Sequence, residues 1–342
     1  MTSFRSYFRY HLKSRIGYTV TTALLGFLIT FISLLDEYNG KVTDTKDSLF
    51  FLPAVVLSIV AVLSAILEFV PFMNRRNLDA LYSLPIDRRQ MYLVHYITGF
   101  LSTLIAHAVP FFLVLFFWLP HHEYFALGYA IPLYFISIPC GFIMYAITVF
   151  LYTRGNTDAD GSITVALGGC SLFVISSALI ELFNLKKPLI GIFNSTSTFF
   201  WSPINDFTTA YQKMIDMDTY HINGTLHPYT LEEFYTNGET LSMIVIFLAI
   251  GIAATVGFFL TYHKKRVETI GEITNSWFSY RVMIPLYGFS LIIILNDVFW
   301  LVLSLALMIV GYVVYRRTYR LKRSDLIVLA AYVCYGLLAL SL

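Results

Sequence analysis

The stretch LVHYITGFLSTLIAHAVPFFLVLFFWL, residues 93–119, contains no Asp, Glu, Lys or Arg. A bilayer core about 30 Å thick is crossed by roughly 20 apolar residues of α-helix, in which every backbone amide is bonded within the segment. The stretch therefore reads as a membrane-spanning helix. Working outward from it, eight further segments qualify: 16–35, 51–73, 126–152, 163–183, 242–262, 282–296, 298–315 and 326–342. The whole chain of 342 residues is 57% hydrophobic and only 13% charged, with a mean hydropathy of +0.69. That composition lies far from the usual globular mix and leaves no water-soluble portion large enough for a nucleotide-binding or nucleic-acid-binding fold. The expected fold is all-α: a polytopic helical membrane protein of about nine transmembrane helices, within a range of eight to ten, forming one transmembrane domain over residues 1–342. The first segment is too long for a removable signal peptide and lacks a small-residue cleavage site, so it is expected to remain as an anchor.

Charge sets the orientation, because cytoplasmic loops hold the excess of Lys and Arg. With the N-terminus inside, the inner segments carry Arg5, Arg9, Lys13 and Arg15; Arg75, Arg76, Arg88 and Arg89; Arg154; Lys264, Lys265, Arg266 and Arg281; and Arg316, Arg317, Arg320, Lys322 and Arg323. These are 18 of the 23 basic residues, and only Lys41, Lys46, Lys186, Lys187 and Lys213 fall outside. A single helix over 282–315 would rise about 51 Å at 1.5 Å per residue and would put Arg281 and the Arg316 cluster on opposite sides. A hairpin broken at Asn296-Asp297 is expected instead, which places the C-terminus outside.

Residues 1–15 interleave Phe4, Tyr7, Phe8 and Tyr10 with four basic residues, which suits an interfacial helix in the inner headgroup layer as well as a plain basic flank. The largest outer segment, 184–241, is expected to be an extracellular loop. Its two glycosylation-type triplets, at Asn194 and Asn223, are short enough to occur by chance. Cys140, Cys170 and Cys334 all lie in apolar runs and read as small hydrophobes.

The inner loop NRRNLDALYSLPIDRRQMYLVHY, residues 74–96, has a sharper grammar. Asn74 can cap a short helix over 75–83, and Leu84-Pro85 ends it, since the residue before proline is pushed out of the helical region. Asp87 and Gln90 then form an Asp-x-x-Gln capping box that starts the next helix at Arg88. The outcome is a stiff elbow, with Leu78, Leu81 and Tyr82 expected on one side and Asp79 on the other.

This loop resembles that of type-2 ABC exporter permeases of Gram-positive bacteria, in which an Asp, a Ser-Leu-Pro triplet and a basic turn connect the second and third spans. Here these are Asp79, Ser83-Leu84-Pro85, Arg88 and Arg89. Two weaker similarities follow at matching topological positions: HKKRVETIGE at 263–272, with Lys264, Lys265, Arg266, Glu268 and Gly271, and GYVVYRRTYRLKR at 311–323. The resemblance implies that 74–92 is a cytoplasmic coupling helix seated on a separate ABC ATPase subunit, with Asp79, Leu81, Tyr82, Ser83, Leu84, Pro85, Asp87, Arg88 and Arg89 as coupling residues. It also implies that ATP and Mg are bound by that partner and not by this chain. A second permease subunit, in a homo- or heterodimer, is implied as well, together with export of a peptide-like or amphipathic substrate such as an antimicrobial peptide from the plasma membrane of a bacterium. On the residues alone, the loop reads more readily as an ordinary structured cytoplasmic loop.

Ionisable groups within spans are costly and often functional. Glu68 near the inner end of the second span and His107 beside Pro110 in the third are candidates for a substrate pathway. Against that, Glu68 is close enough to the boundary to reach Arg75 or Arg76, and His107 can bond a neighbouring helix. Glu181 lies near the outer end of the fifth span. His121-His122-Glu123 has metal-ligand residue types but no fourth ligand, and adjacent histidines do not share a helix face. Gly168, Gly169, Ser171, Ser176, Ser177 and Ala178, and also Gly251, Ala254 and Gly257, permit close helix approach within the chain or between permease subunits. The sequence has no G-x-x-x-x-G-K-[ST] phosphate loop and no H-E-x-x-H. A transport subunit without an ATPase site is expected, with membrane lipids as neighbours and no nucleic acid; the rival expectation is a stand-alone membrane-embedded enzyme or ion-driven carrier.

Overall fold

The computed structural model describes residues 2–39, 51–118, 127–183, 219–222, 225–228, 238–262, 265, 267–272, 274, 276, 280–295 and 297–341. Its helices are α1 (Thr2–Asn39), α2 (Phe51–Phe69), α3 (Arg75–Tyr82), α4 (Arg88–Trp118), α5 (Leu127–Tyr152), α6 (Asp158–Phe183), α7 (Gly238–Thr261), α8 (Tyr280–Leu295), α9 (Val298–Arg316) and α10 (Arg323–Ser341). Between α6 and α7, β1 (Thr219–Ile222) pairs antiparallel with β2 (Thr225–Pro228), with Thr219 opposite Pro228. Each of the nine apolar segments falls on one of these helices, the second being completed by a 3-10 turn over Val70–Met73. Phe4–Ile32, Val55–Met73, Arg88–Phe117 and Val298–Arg316 are long and apolar enough to cross a bilayer, and Ser137–Tyr152, Leu248–Thr261 and Tyr280–Leu295 are shorter apolar stretches. The chain is an all-α membrane protein.

One expectation about the first helix changes. Residues 2–15 are not a separate interfacial helix but the first turns of α1, which runs unbroken for 38 residues, about 57 Å. No proline interrupts it, and Gly17, the first glycine, has open space around its Cα. This continuity carries His11 and Arg15 alongside α2.

The chain divides into two compact units. The first comprises Met1–Pro71, Asp79–Phe150 and Trp201–Lys264; the second comprises Phe72–Leu78, Leu151–Phe200 and Lys265–Leu342. Within the first unit, α1 and α2 run antiparallel, since Tyr18 meets Ser64, Arg15 meets Leu67, and Gly26 meets Val56. α4 runs parallel to α1: Thr19 pairs with Ser102 at 2.9 Å, and Gly26 approaches Ala106 and Pro110. α5 opposes α4, with the Tyr145 hydroxyl donating to Tyr96 O at 3.0 Å and His107 meeting Ser137. α7 follows α5 in the same direction, with Gly251 against Ile143 and Gly257 against Phe150. Small residues here let backbones approach where lipid supplies no hydrophobic drive between helices.

Within the second unit, α8 runs parallel to α6, because Tyr280 reaches Asp160 and Tyr287 donates to Leu167 O. α8 and α9 form the expected hairpin: Gly288 faces Met308 and Ile284 faces Gly311. Asp297 breaks it, standing extended at φ −139° and ψ 146° and accepting from Phe299 N at 3.4 Å as the α9 cap. α10 folds back on α9, with Gly336 against Leu301 and Ser304 bonded to Tyr332. Arg316 closes that pair bidentately on Asp325 at 2.9 and 3.1 Å. Ile292, Leu301, Met308, Tyr312, Leu329 and Tyr332 form the shared core. In both units the relative helix directions agree with the alternation read from the basic residues.

Candidate functional site

The elbow forms where the sequence punctuates it. Asn74 Oδ1 accepts from Arg76 N at 3.0 Å, and Leu78 N bonds Asn74 O at 3.0 Å, which starts α3. Ser83 N reaches Asp79 O and Leu84 N reaches Leu81 O, then Pro85 ends the turn. Asp87 Oδ1 faces Arg89 N at 3.5 Å, and Met91 N bonds Asp87 O at 3.0 Å as α4 begins. Asp79, Ser83, Leu84, Pro85, Asp87, Arg88 and Arg89 are all exposed, while Leu81 and Tyr82 are half-buried.

The expected apolar side is only partly free. Leu78 is buried at 1% exposure, so it serves the chain's own packing. Tyr82 turns back on the next helix: its hydroxyl meets that of Tyr92 at 2.5 Å, and the Arg88 guanidinium lies 4.0 Å above its ring. A stacked Arg and a shared hydroxyl lock the corner between α3 and α4. Leu81 and the Leu84-Pro85 tip are what remains for a partner. Beside this corner, Arg89 and Tyr92 of α4 and Phe258, Phe259, Leu260 and Tyr262 on and just after α7 line a cavity of about 250 Å³.

Glu68 does not pair with Arg75 or Arg76 as the sequence suggested. It is buried at 3% exposure and makes an ion pair with Arg15 Nε at 3.0 Å through Oε2. Its other oxygen, Oε1, meets His11 Nε2 and lies 2.8 Å from His95 Nδ1. The two imidazoles are 4.0 Å apart between centroids, and Tyr7 hydroxyl bonds His95 Nε2 at 3.0 Å. Sequence reading singled out Glu68 and missed His11 and His95. The one available signal was the spacing of His11 and Arg15, four residues apart on one helix face.

His107 is fully buried between α4 and α5. Its Nε2 lies 2.9 Å from Ser137 Oγ, a hydroxyl that also meets Tyr134 O at 2.6 Å. The ring also stacks on Tyr134 at 5.6 Å with a 7° interplanar angle. These contacts match the helix-bonding alternative for His107.

In the second unit, the basic inner segments brace one another. Lys265 Nζ donates to Gly155 O at 2.6 Å, Gly271 N to Asn156 O at 3.0 Å, and Thr274 Oγ1 to Arg154 O at 2.8 Å. Gly271 stands at φ +86°, a conformation that favours glycine. Tyr315 donates to Thr274 O at 3.0 Å and Arg317 to Gly271 O at 3.3 Å, so 265–274 is tied to the end of α9 as well. Burial lowers the pKa of Arg154, and burial followed by the charge of Arg154 lowers that of Lys265 to about 8. Gly168 packs on Leu151, and Gly251 and Gly257 pack on α5, so these small residues are used within the chain. His121, His122 and Glu123 lie outside the described residues, as do Lys264 and Arg266.

Comparison with protein-family models, with curated proteins and with solved structures finds no match.

Proposed function

We propose that this chain is the membrane-spanning subunit of an ABC exporter, moving a peptide-like or amphipathic substrate out of a bacterial cell with ATP hydrolysed by a separate subunit. The observation that carries the reading is the elbow, in which Asn74, Pro85 and Asp87 delimit a short helix between two long apolar helices. A rigid corner of this kind transmits motion of a docked ATPase to the helices it joins. The Tyr82–Tyr92 contact and the Arg88 stack supply the stiffness. On this reading nine helices cross the membrane, the N-terminus is cytoplasmic and the C-terminus extracellular. ATP and Mg belong to the partner, and a second permease subunit completes the pathway.

The test is a search for an ABC ATPase encoded beside this chain, followed by reconstitution of the two together. Co-purification of a soluble chain bearing a phosphate loop, with ATP turnover that needs both chains, is the expected result. Transport or catalysis by this chain reconstituted alone would replace the proposal with the rival class, a stand-alone enzyme or ion-driven carrier, for which the buried Glu68 cluster would be the natural centre.

A further inference from the structure

We infer that His11, Glu68 and His95 form a binding site for one divalent transition-metal ion of the zinc class. The inference stands on their geometry and is independent of the exporter reading.

Three ligand-type side chains from three helices, α1, α2 and α4, converge in the first unit, with all their ligand atoms within 4.8 Å of one another. All three residues are buried. The donor atoms are His11 Nε2, His95 Nδ1 and Glu68 Oε1, and both imidazole nitrogens lie within ion-pair distance of that single carboxylate oxygen. Two imidazoles and one carboxylate are a donor set for zinc and its neighbours, whereas magnesium and calcium prefer oxygen alone.

The atoms facing away from the centre are held as metal sites hold them. Glu68 Oε2 is occupied by Arg15 Nε at 3.0 Å, which fixes the carboxylate plane and leaves Oε1 to the ion. His95 Nε2 meets Tyr7 hydroxyl at 3.0 Å. Binding a metal through Nδ1 puts the imidazole proton on Nε2, where that hydroxyl accepts it. Such outer partners fix the tautomer and orientation of ligating groups. Without a metal, the opposite tautomer carries its proton on Nδ1, 2.8 Å from Glu68 Oε1, and accepts from Tyr7 at Nε2, so binding moves the His95 proton from one ring nitrogen to the other without releasing it. Three protein ligands leave a fourth position for water or hydroxide, and Arg15 beside a single carboxylate favours the anion.

The test uses the full chain in lipid nanodiscs, stripped by a chelator and titrated with Co²⁺ as a visible stand-in for Zn²⁺. The expected result is one equivalent of Co²⁺ with a ligand-field absorption band that Zn²⁺ displaces, and a melting midpoint that Zn²⁺ raises. His11→Ala and His95→Ala should each weaken binding at least 100-fold, and Tyr7→Phe about 10-fold, the usual scale for an outer partner. Gel filtration and circular dichroism establish which variants fold. Failure of folded wild-type protein to bind Co²⁺ or Zn²⁺ overturns the inference, as does undiminished binding in a folded His11→Ala chain. Should both histidine variants fail to fold, wild-type stoichiometry and Tyr7→Phe decide: a stoichiometry other than one, or Tyr7→Phe binding as tightly as wild type, overturns it.

Discussion

Lys265 illustrates what a single buried charge does to this protein. Its ammonium donates to Gly155 O at 2.6 Å in a braced corner of the second unit, and its pKa falls from 10.5 to about 8. Because the folded pKa is the lower one, the folded state holds fewer protons than the unfolded state between pH 8 and 10.5. The cost of burying the charge is therefore fully present below the lower value and fades as pH rises across that window. The melting midpoint of wild type minus that of Lys265→Met should be flat below pH 8 and should rise toward pH 10.5. A difference that stays flat over the same range would show the ammonium to be exposed. Glu68 makes the complementary case. Glu68→Gln keeps the shape but strips Arg15 of its counter-charge, a loss of about 3 kcal/mol for a partly solvated partner. Arg15→Met with Glu68→Met should recover part of that loss in the melting midpoint; equal stability of Glu68→Gln and wild type would remove the ion pair. The sequence exposed Glu68 as an anomaly because a carboxylate stands out in an apolar span. It could not reveal its partners, since His11 lies 57 residues away and spatial convergence of three helices leaves no local pattern.

At the level of elements, punctuation was the legible part. Asn74, Pro85, Asp87 and Asp297 each act through backbone neighbours within a few residues, and the structure has α3, α4 and α9 starting or stopping where those residues require. The direction in which a side chain leaves a short helix depends on what lies against it, which is why Leu78, expected on one side with Leu81 and Tyr82, is buried, and Tyr82 is turned onto Tyr92. Tyr82 belongs to the corner, so its replacement would loosen the lever itself; Leu81 and Leu84 are the apolar groups left to a partner. Leu81→Asp with Leu84→Asp should place charge in an apolar seat, where an unpaired buried charge costs several kcal/mol. Insertion and melting should stay near wild type, while co-purification of the ATPase and coupled turnover are lost. Normal ATPase binding by this double variant would reduce the elbow to a structured loop. A milder change, Asp87→Ala, removes a cap worth about 1 kcal/mol and should lower coupled turnover more than binding.

Over the whole molecule, two different kinds of observation give the same alternation. The basic residues, 18 of 23 on one set of loops, assign sides to the segments. The packed pairs assign relative directions within each unit: α1 with α4 and against α2, α5 with α7, α6 with α8, and α9 against both α8 and α10. One crossing added or dropped between two packed helices would reverse their relative direction, whereas a change of two crossings would leave it unaltered. Absolute sidedness is an expectation that rests on the charges alone. In a chain whose Cys140, Cys170 and Cys334 are replaced by Ala, a cysteine at Ser83 in the elbow and one at Asp297 in the α8–α9 turn should therefore label from opposite sides. Ser83→Cys should react with a membrane-impermeant maleimide only after the cells are opened, and Asp297→Cys should react in intact cells. Both positions are exposed, so a failure to react from the expected side reflects topology and not burial. Labelling of both from the same side would break the alternation between α3 and α8–α9, and with it the placement of the elbow on the ATP-containing side that the exporter reading requires.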